Sequence, residues 1–449
     1  MNKVPSRIGV GAAIVVLGIA LASASSVLGQ TPGPEPLTLS RAVALALERA
    51  PSLAAVRAER AGESAAAELA RDAYHPSAWL TTSPGYTYGM PSTVVGRVPS
   101  VAGVEIRQAI YDPLRRSEVL QAEARESGME GTFARSCQET VEKTLAVYAR
   151  CWVDQSLSES AQRRLDAAEA IRKRVEALAS EGRRTELDLE RARLQSARAR
   201  QKLLNAQSDS DLDLLELKRL IGWPGSAPLT LAQDPDAAVP ELPSEENLSA
   251  ARAADPELRS LSREVELLGR SARLESQRFA PVIEASAQYQ RLAKFNNYDK
   301  YFLTFNPDSV AVGVSIAIPV FTGGRFEDGA RRARARLDHA EAARAARESE
   351  LELAVRRAEA NVAKSTAEKS LSRRSKGIEE EAVSALQLLV REGRSELSDL
   401  DERQLVLADA DEESTRAALG SLLERARLLS LRGELARAVL GADPPCLAP

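Results

Sequence analysis

Val310-Ala311-Val312-Gly313-Val314-Ser315-Ile316-Ala317-Ile318-Pro319-Val320-Phe321-Thr322-Gly323-Gly324-Arg325 is the stretch that decides the fold. Val310, Val312, Val314, Ile316, Ile318 and Val320 alternate with Ala311, Gly313, Ser315, Ala317 and Pro319. A period of two, with one β-branched face and one small face, predicts a strand over about 310–320. Gly323 and Gly324 then turn the chain, and the period changes to that of a helix. No proline interrupts that helix from Arg325 to about Arg391, a rod of about 100 Å if unbroken.

The same plan occurs earlier in the chain. Pro51 and Pro76 return 205 residues later as Pro256 and Pro281. Gly103-Val104-Glu105-Ile106 returns as Gly313-Val314-Ser315-Ile316, and Glu181-Gly182-Arg183 as Glu392-Gly393-Arg394. A repeat of this length is a duplicated domain, because solenoid periods run about 20–50 residues. Similar surfaces presented twice suit a ring of several copies.

Each copy reads as a helix, two strands, a very long helix and a return helix. The first spans 38–221, with strands at about 77–88 and 101–111 and a hairpin over 114–221. Ser40 is the expected cap of its first helix, and Pro51 is expected to kink or split that helix. Gly128 and Gly131 are tolerable blemishes in the long helix, at about 1 kcal/mol each. Residues 222–243, with five prolines, form a linker. The second copy spans 244–440, with strands at about 281–291 and 310–320 and a hairpin over 325–440. Leu187/Leu194 and Leu400/Leu407 lie one heptad apart, as a coiled-coil seam requires. Residues 441–449 are a tail.

The N-terminus reads as an export signal over 1–24. Lys3 and Arg7 precede an apolar run, Ile8 to Ala22, and Ala22-Ser23-Ala24 fits a cleavage site. An uncleaved anchor is the alternative, although the run is short for a span. Residues 25–37 are a Pro/Gly-rich leader. Aromatic residues make up only 4% of the chain and charged residues 28%, a long-helix composition. The net charge of −4 gives no footprint for nucleic acid. Cys137, Cys151 and Cys446 are too few for a disulfide framework. The first two read as packing residues, and Cys446 reads as exposed.

Four strands cannot close a membrane sheet alone, since lipid leaves no partner for an open edge and single-chain barrels begin at eight strands. Three chains would supply twelve. The β-branched face at 310–320 suits lipid, and the small face suits a lumen. Trp79, Tyr86, Tyr88, Tyr289 and Phe321 fall near strand ends, where an aromatic girdle is expected. A soluble sandwich edge is the competing reading.

At this point the chain resembles the TolC-like outer-membrane efflux proteins, over roughly 37–440. The resemblance rests on Ala50-Pro51-Ser52-Leu53 and Asp255-Pro256-Glu257-Leu258, which look like the family's Asn-Pro-x-Leu element. It also rests on Pro76, Pro281, the Pro319–Arg325 segment and the two Glu-Gly-Arg tips. The first copy departs from the pattern, with Tyr111-Asp112-Pro113 in place of the Gly-Gly turn. The lipid-attachment cysteine of many relatives is absent, so the chain resembles the unlipidated subgroup. The resemblance implies a fold that is mainly α with a small β part. Duplicated coiled-coil hairpins and four strands would build a homotrimer with a 12-stranded β-barrel and an α-helical periplasmic tunnel. It further implies location in the outer membrane, docking to a periplasmic adaptor and an inner-membrane transporter, and no catalysis or cofactor.

The candidate gate residues at the hairpin tips are Arg183, Arg184, Asp188, Arg394, Asp399 and Asp401, around turns at Gly182 and Gly393. In the family such positions close the periplasmic aperture through ion pairs and pore-facing carboxylates. Threefold symmetry would make one Asp a ring of three, which attracts cations. The bland alternative is an ordinary solvated coiled-coil end. Glu105 and Arg107 are lumen candidates, or else a plain cross-strand ion pair. The Arg331–Arg336 run reads as a solvated helix face, given the acids that follow it. Gly323-Gly324 is no phosphate loop, since no lysine follows. His75 and His339 suggest no triad or metal site. A periplasmic adaptor without a pore is the rival function. It would carry one hairpin rather than two. An exported hydrolase lacks any nucleophile motif.

Overall fold

The computed structural model describes residues 36–83, 100–232, 234–240, 247–277, 279–292, 303, 306–321, 323–442, 444 and 446. The export signal, most of the leader, Tyr86, Tyr88, Thr322 and residues 84–88 of the expected first strand lie outside them.

In the first copy, α1 (Leu39–Arg49) and α2 (Pro51–Asp72) are split at Pro51. Proline at the first position of α2 needs no hydrogen-bond partner there. Strands β1 (Ser77–Ser83) and β2 (Ser100–Tyr111) follow, then α3 (Pro113–Ser180) and α4 (Glu186–Leu220). The second copy repeats the order: α5 (Asn247–Ala254), α6 (Pro256–Glu275), β3 (Val282–Leu292), β4 (Asp308–Ala317), α7 (Arg325–Arg391), α8 (Leu397–Leu431) and α9 (Leu435–Leu440).

Several local expectations are corrected. Thr38, not Ser40, caps α1, accepting from the Arg41 N–H at 3.3 Å. β4 stops at Ala317 instead of Val320, because Pro319 has no N–H for a ladder. The last helix is not continuous: Gly433, at φ 71°, separates α8 from α9, and a Cβ there would lie 2.8 Å from the Ala254 Cβ. Gly131 is more than a tolerable blemish. A Cβ on it would fall 2.6 Å from the Ser260 Cβ, so the glycine lets α3 and α6 approach.

The heptad expectation also shifts. Leu189, Ala192, Ser196, Ala199 and Leu203 are the buried residues along the first half of α4, spaced three and four apart as a/d positions are. Leu187 and Leu194 instead stand exposed, at 60% and 52%. Leu400 and Leu407 are half-buried.

The largest core lies midway along the hairpins, where α1, α3, α4, α8 and α9 meet. Leu39, Val43, Leu145, Tyr148, Leu217, Ile221 and Leu429 fill it. The buried Tyr148 hydroxyl donates to the Leu37 carbonyl at 2.9 Å, as burial of a phenol requires. The linker straps onto this core. Leu231 bridges to Leu37, and Asp236 takes ion pairs from Arg425 and Lys369, the latter at 3.2 Å.

At one end stands a four-stranded antiparallel sheet in the order β1-β2-β3-β4. Its central pair, β2 with β3, joins the two copies. Among the described residues, β1 pairs only with β2 and β4 only with β3. Both edges are therefore open.

Candidate functional site

The ladder register sorts the sheet into two faces, because directly opposed residues of antiparallel strands share a face. Val104, Tyr289 and Val310 fall in one row, and Ile106, Ala287 and Val312 in the next. Val310, Val312, Val314 and Ile316 are all more than 60% exposed. The opposite face carries Glu105, Gln288 and Ala311 in one row and Arg107, Ser286 and Gly313 in another. One side is thus apolar and the other polar or small.

Glu105 and Arg107 sit together on the polar face. Arg107 Nε donates to Glu105 Oε1 at 2.6 Å. The pair runs along β2 from residue i to i+2, not across strands. Trp79 lies opposite Glu105, so it belongs to the polar face rather than to a lipid-facing girdle. Tyr289 lies on the apolar face, with its hydroxyl donating to Asp308 at 3.0 Å.

The two copies enter their long helices by different chemistry. Asp112 caps α3, its carboxylate accepting from the Leu114 and Arg115 N–H groups at 3.0 and 3.2 Å, and Pro113 fixes the first helical position. Gly323, at φ 64°, makes the turn before α7, and Gly324 takes the cap position. The departure in the first copy is therefore an alternative solution of the same turn.

The tips are built alike. Gly182 and Gly393 have φ of 75° and 70°. Arg183 N donates to Leu178 O and Arg394 N to Leu389 O, both at 2.8 Å, while each glycine N–H bonds three residues back. This is the glycine-terminated helix end in which orphan carbonyls find donors. The return helices start differently. Thr185 and Asp188 cap α4 reciprocally, at 3.2 and 3.1 Å. The Thr185 hydroxyl and N–H hold the Asp188 carboxyl below its ordinary range. In α8 no side chain caps the first turn, and Asp399 accepts from the Ser395 hydroxyl at 2.9 Å.

The candidate tip residues do not form one cluster. Arg183 pairs with Glu181 at 3.6 Å and Arg394 with Glu392 at 3.2 Å, each within its own turn and largely exposed. Arg184 is exposed beside Asp188. Asp401 is different: it is buried and bonded to Arg174 of the other hairpin. Its carboxylate is therefore withdrawn from solvent within the protomer.

Arg174 belongs to a seam between α3 and α8 that sequence reasoning missed. Further along, Arg163 meets Asp411 at 3.0 Å, and Arg164 meets Asp409. Lys202 of α4 reaches Asp409 at 3.3 Å. Burial alone would raise the Asp409 carboxyl, but the Arg164 hydrogen bond and the charges of Arg164 and Lys202 outweigh it and hold it low. Lys376 and Arg163 do the same for Asp411. The acidic run Asp399 to Glu413 was visible in the sequence; its partners on α3 and α4, over 200 positions away, were not.

Comparison with known proteins agrees with this geometry. The family model for outer membrane efflux proteins matches residues 42–223 and 247–434. The fold is that of the Campylobacter jejuni CmeC outer membrane channel, at TM-score 0.70 and 14% identity over 88% of this chain and 86% of that one. It is similarly that of the outer membrane protein VceC from Vibrio cholerae, at TM-score 0.65 and 18% identity over 90% and 96%. The open-state MtrE outer membrane channel of Neisseria gonorrhoeae gives 0.66 and 16% over 88% and 89%. No curated protein is a significant sequence match. With two matched segments that cover most of its length, the chain belongs to the outer membrane efflux protein family.

Proposed function

We propose that this protein works as a homotrimeric outer-membrane duct, through which an inner-membrane transporter and a periplasmic adaptor pass substrates to the exterior. The observation that carries the reading is the two-faced sheet with two open edges. An apolar face rich in exposed Val and Ile suits lipid. Opposite it, Glu105, Arg107, Gln288 and Ser286 suit a water-filled lumen. Open edges cannot stay unpaired in a bilayer, and three copies close twelve strands. The hairpins supply the tunnel. Catalysis has no place in this scheme, since energy comes from the transporter.

The tips form the aperture. Arg183, Arg184 and Arg394 are exposed and can exchange their local partners for carboxylates of a neighbouring chain. Asp188 and Asp399 shape the first turns of the return helices. Asp401, held by Arg174, acts as a latch between the two hairpins instead of one member of a carboxylate ring.

Single-channel conductance in planar bilayers tests this, with wild type beside Arg394→Ala and Asp401→Ala. A long-lived conductance that rises in Asp401→Ala supports a duct latched between hairpins. An unchanged conductance keeps the duct and removes the latch. A folded oligomer that never inserts removes the duct and favours a periplasmic scaffold.

A further inference from the structure

The chain has three cysteines, and two of them, 309 positions apart in sequence, meet in the fold. Cys137 of α3 is fully buried among Ala50, Leu53 and Phe133. Cys446, expected to be exposed, instead packs half-buried against this cluster. The two thiols are close enough for each to shift the acidity of the other. Cys446 also lines a surface cleft of about 330 Å³ together with Arg60 of α2, Gly131 and Phe133 of α3, and Pro256 and Arg263 of α6. Cys446 therefore stands beside elements of both copies.

We propose that Cys137 and Cys446 form a disulfide that fastens the C-terminal tail to α3. The periplasm is an oxidising compartment where such bonds persist, and in this respect the inference rests on the outer-membrane reading. The two thiols divide the roles of the reaction. The S–H of Cys137 donated to its sulfur, together with the Arg57 and Arg60 charges, lowers the Cys446 thiol against the opposing effect of burial. It is also the half that solvent reaches, so it is the attacking group. The contact with Cys446 and burial both push Cys137 up. Cys446 attacks an external disulfide, of a thiol oxidoreductase or of oxidised glutathione, and releases one thiol. Cys137 then attacks the mixed disulfide, its proton leaves with the second external thiol, and the internal bond closes. Two protein thiols are oxidised, and one external disulfide is reduced to two thiols. Cys151 takes no part. It stands fourteen residues from Cys137 on one helix, about 21 Å away, and burial pushes its thiol up to about 12.

The test is a thiol count on the full-length protein extracted from outer membranes. The sample is treated with oxidised glutathione, denatured, and labelled with a mass-shifting maleimide. One label, mapped to Cys151, and three after prior reduction is the expected result. Cys446→Ser should take two labels with or without reductant. Three labels on the unreduced wild type overturn the inference. So does a glutathione adduct on Cys446 with Cys137 still labelled, since it would mean Cys137 cannot resolve the mixed disulfide. Membrane fractionation of the same sample reports separately whether the outer-membrane reading has failed.

Discussion

Helices α3 and α7 are nearly the same length, 68 and 67 residues, and each forms the first arm of its hairpin, yet α3 buries 21 residues and α7 only eight. α3 is packed by α1, α2, α4, α6 and α8, whereas α7 meets α5, α6 and α8. The difference leaves Leu371, Ile378 and Leu388 of α7 at 70%, 56% and 59% exposure. Leu371 and Ile378 are one heptad apart, and Leu187 and Leu194 of α4 repeat that spacing on the other hairpin. Duplication gave two similar rods; the fold made one the centre of the protomer and left the other with an uncovered apolar side. In the proposed trimer, neighbouring copies would cover it.

The largest expected effect is on that uncovered side. Wild type should run as a detergent-resistant oligomer in unheated gels, and replacing both Leu371 and Ile378 by Lys should abolish it while leaving the far-ultraviolet helical signal intact. Each large apolar side chain is worth about 1.5–3 kcal/mol when buried, and the loss repeats three times. An oligomer that survives both substitutions would break the comparison, because α7 would then face water.

Next in size is the seam that makes α3 central. Arg174→Ala should destabilise the protein by about 1–3 kcal/mol, since it leaves the buried Asp401 without its partner. A double-mutant cycle with Asp401→Asn should recover most of the loss. Full additivity would show that the two hairpins are held by other contacts.

Two glycines sharpen the contrast further. Gly131→Ala should cost about 1–3 kcal/mol, because α3 and α6 must separate. Gly377 of α7 meets nothing within 4 Å in the protomer. Gly377→Ala should therefore raise the unfolding midpoint, by up to about 1 kcal/mol of helix propensity. A loss of stability at 377 would locate a close approach of the neighbouring chain.

The smallest effect concerns pH. On α3, burial and the neighbouring Asp213 push the Asp154 carboxyl up to about 6. A raised carboxyl favours folding when protonated, so its penalty is present above pH 6 and fades as the pH falls toward the unfolded value near 4. Asp154→Asn should raise the melting midpoint by on the order of 1–2 °C at pH 7.5 and lose that advantage by pH 4. Asp409 and Asp411 have the opposite sign. Their contribution is complete above about pH 4 and is lost as the pH falls through their lowered values. A melting profile for Arg164→Ala that runs parallel to wild type below pH 4 would show that Asp409 is not held low by Arg164.

Much of the architecture was legible because it is local. Alternation at 310–320, the long proline-free runs and the Glu-Gly-Arg turns each depend on neighbours within a few residues. Periodicity likewise marked both long rods, and Asp112 of the first copy could be read as an N-cap once its helix was known. The site was less legible. Asp401 stood out as a tip carboxylate, but only the fold placed it under Arg174, and Trp79 changed face through strand register. Cys446 looked like a loose tail residue and proved to sit on Cys137.

The amino-acid sequence by itself determined the elements, their duplication and the places where helices turn, because backbone hydrogen bonding, glycine's positive φ and proline's missing N–H act over a few residues. Only the tertiary structure decided which of two near-equal helices is buried, which acids meet which arginines, and which two thiols touch. Those outcomes depend on contacts between residues hundreds of positions apart, and they follow from how the rods cross rather than from any local pattern.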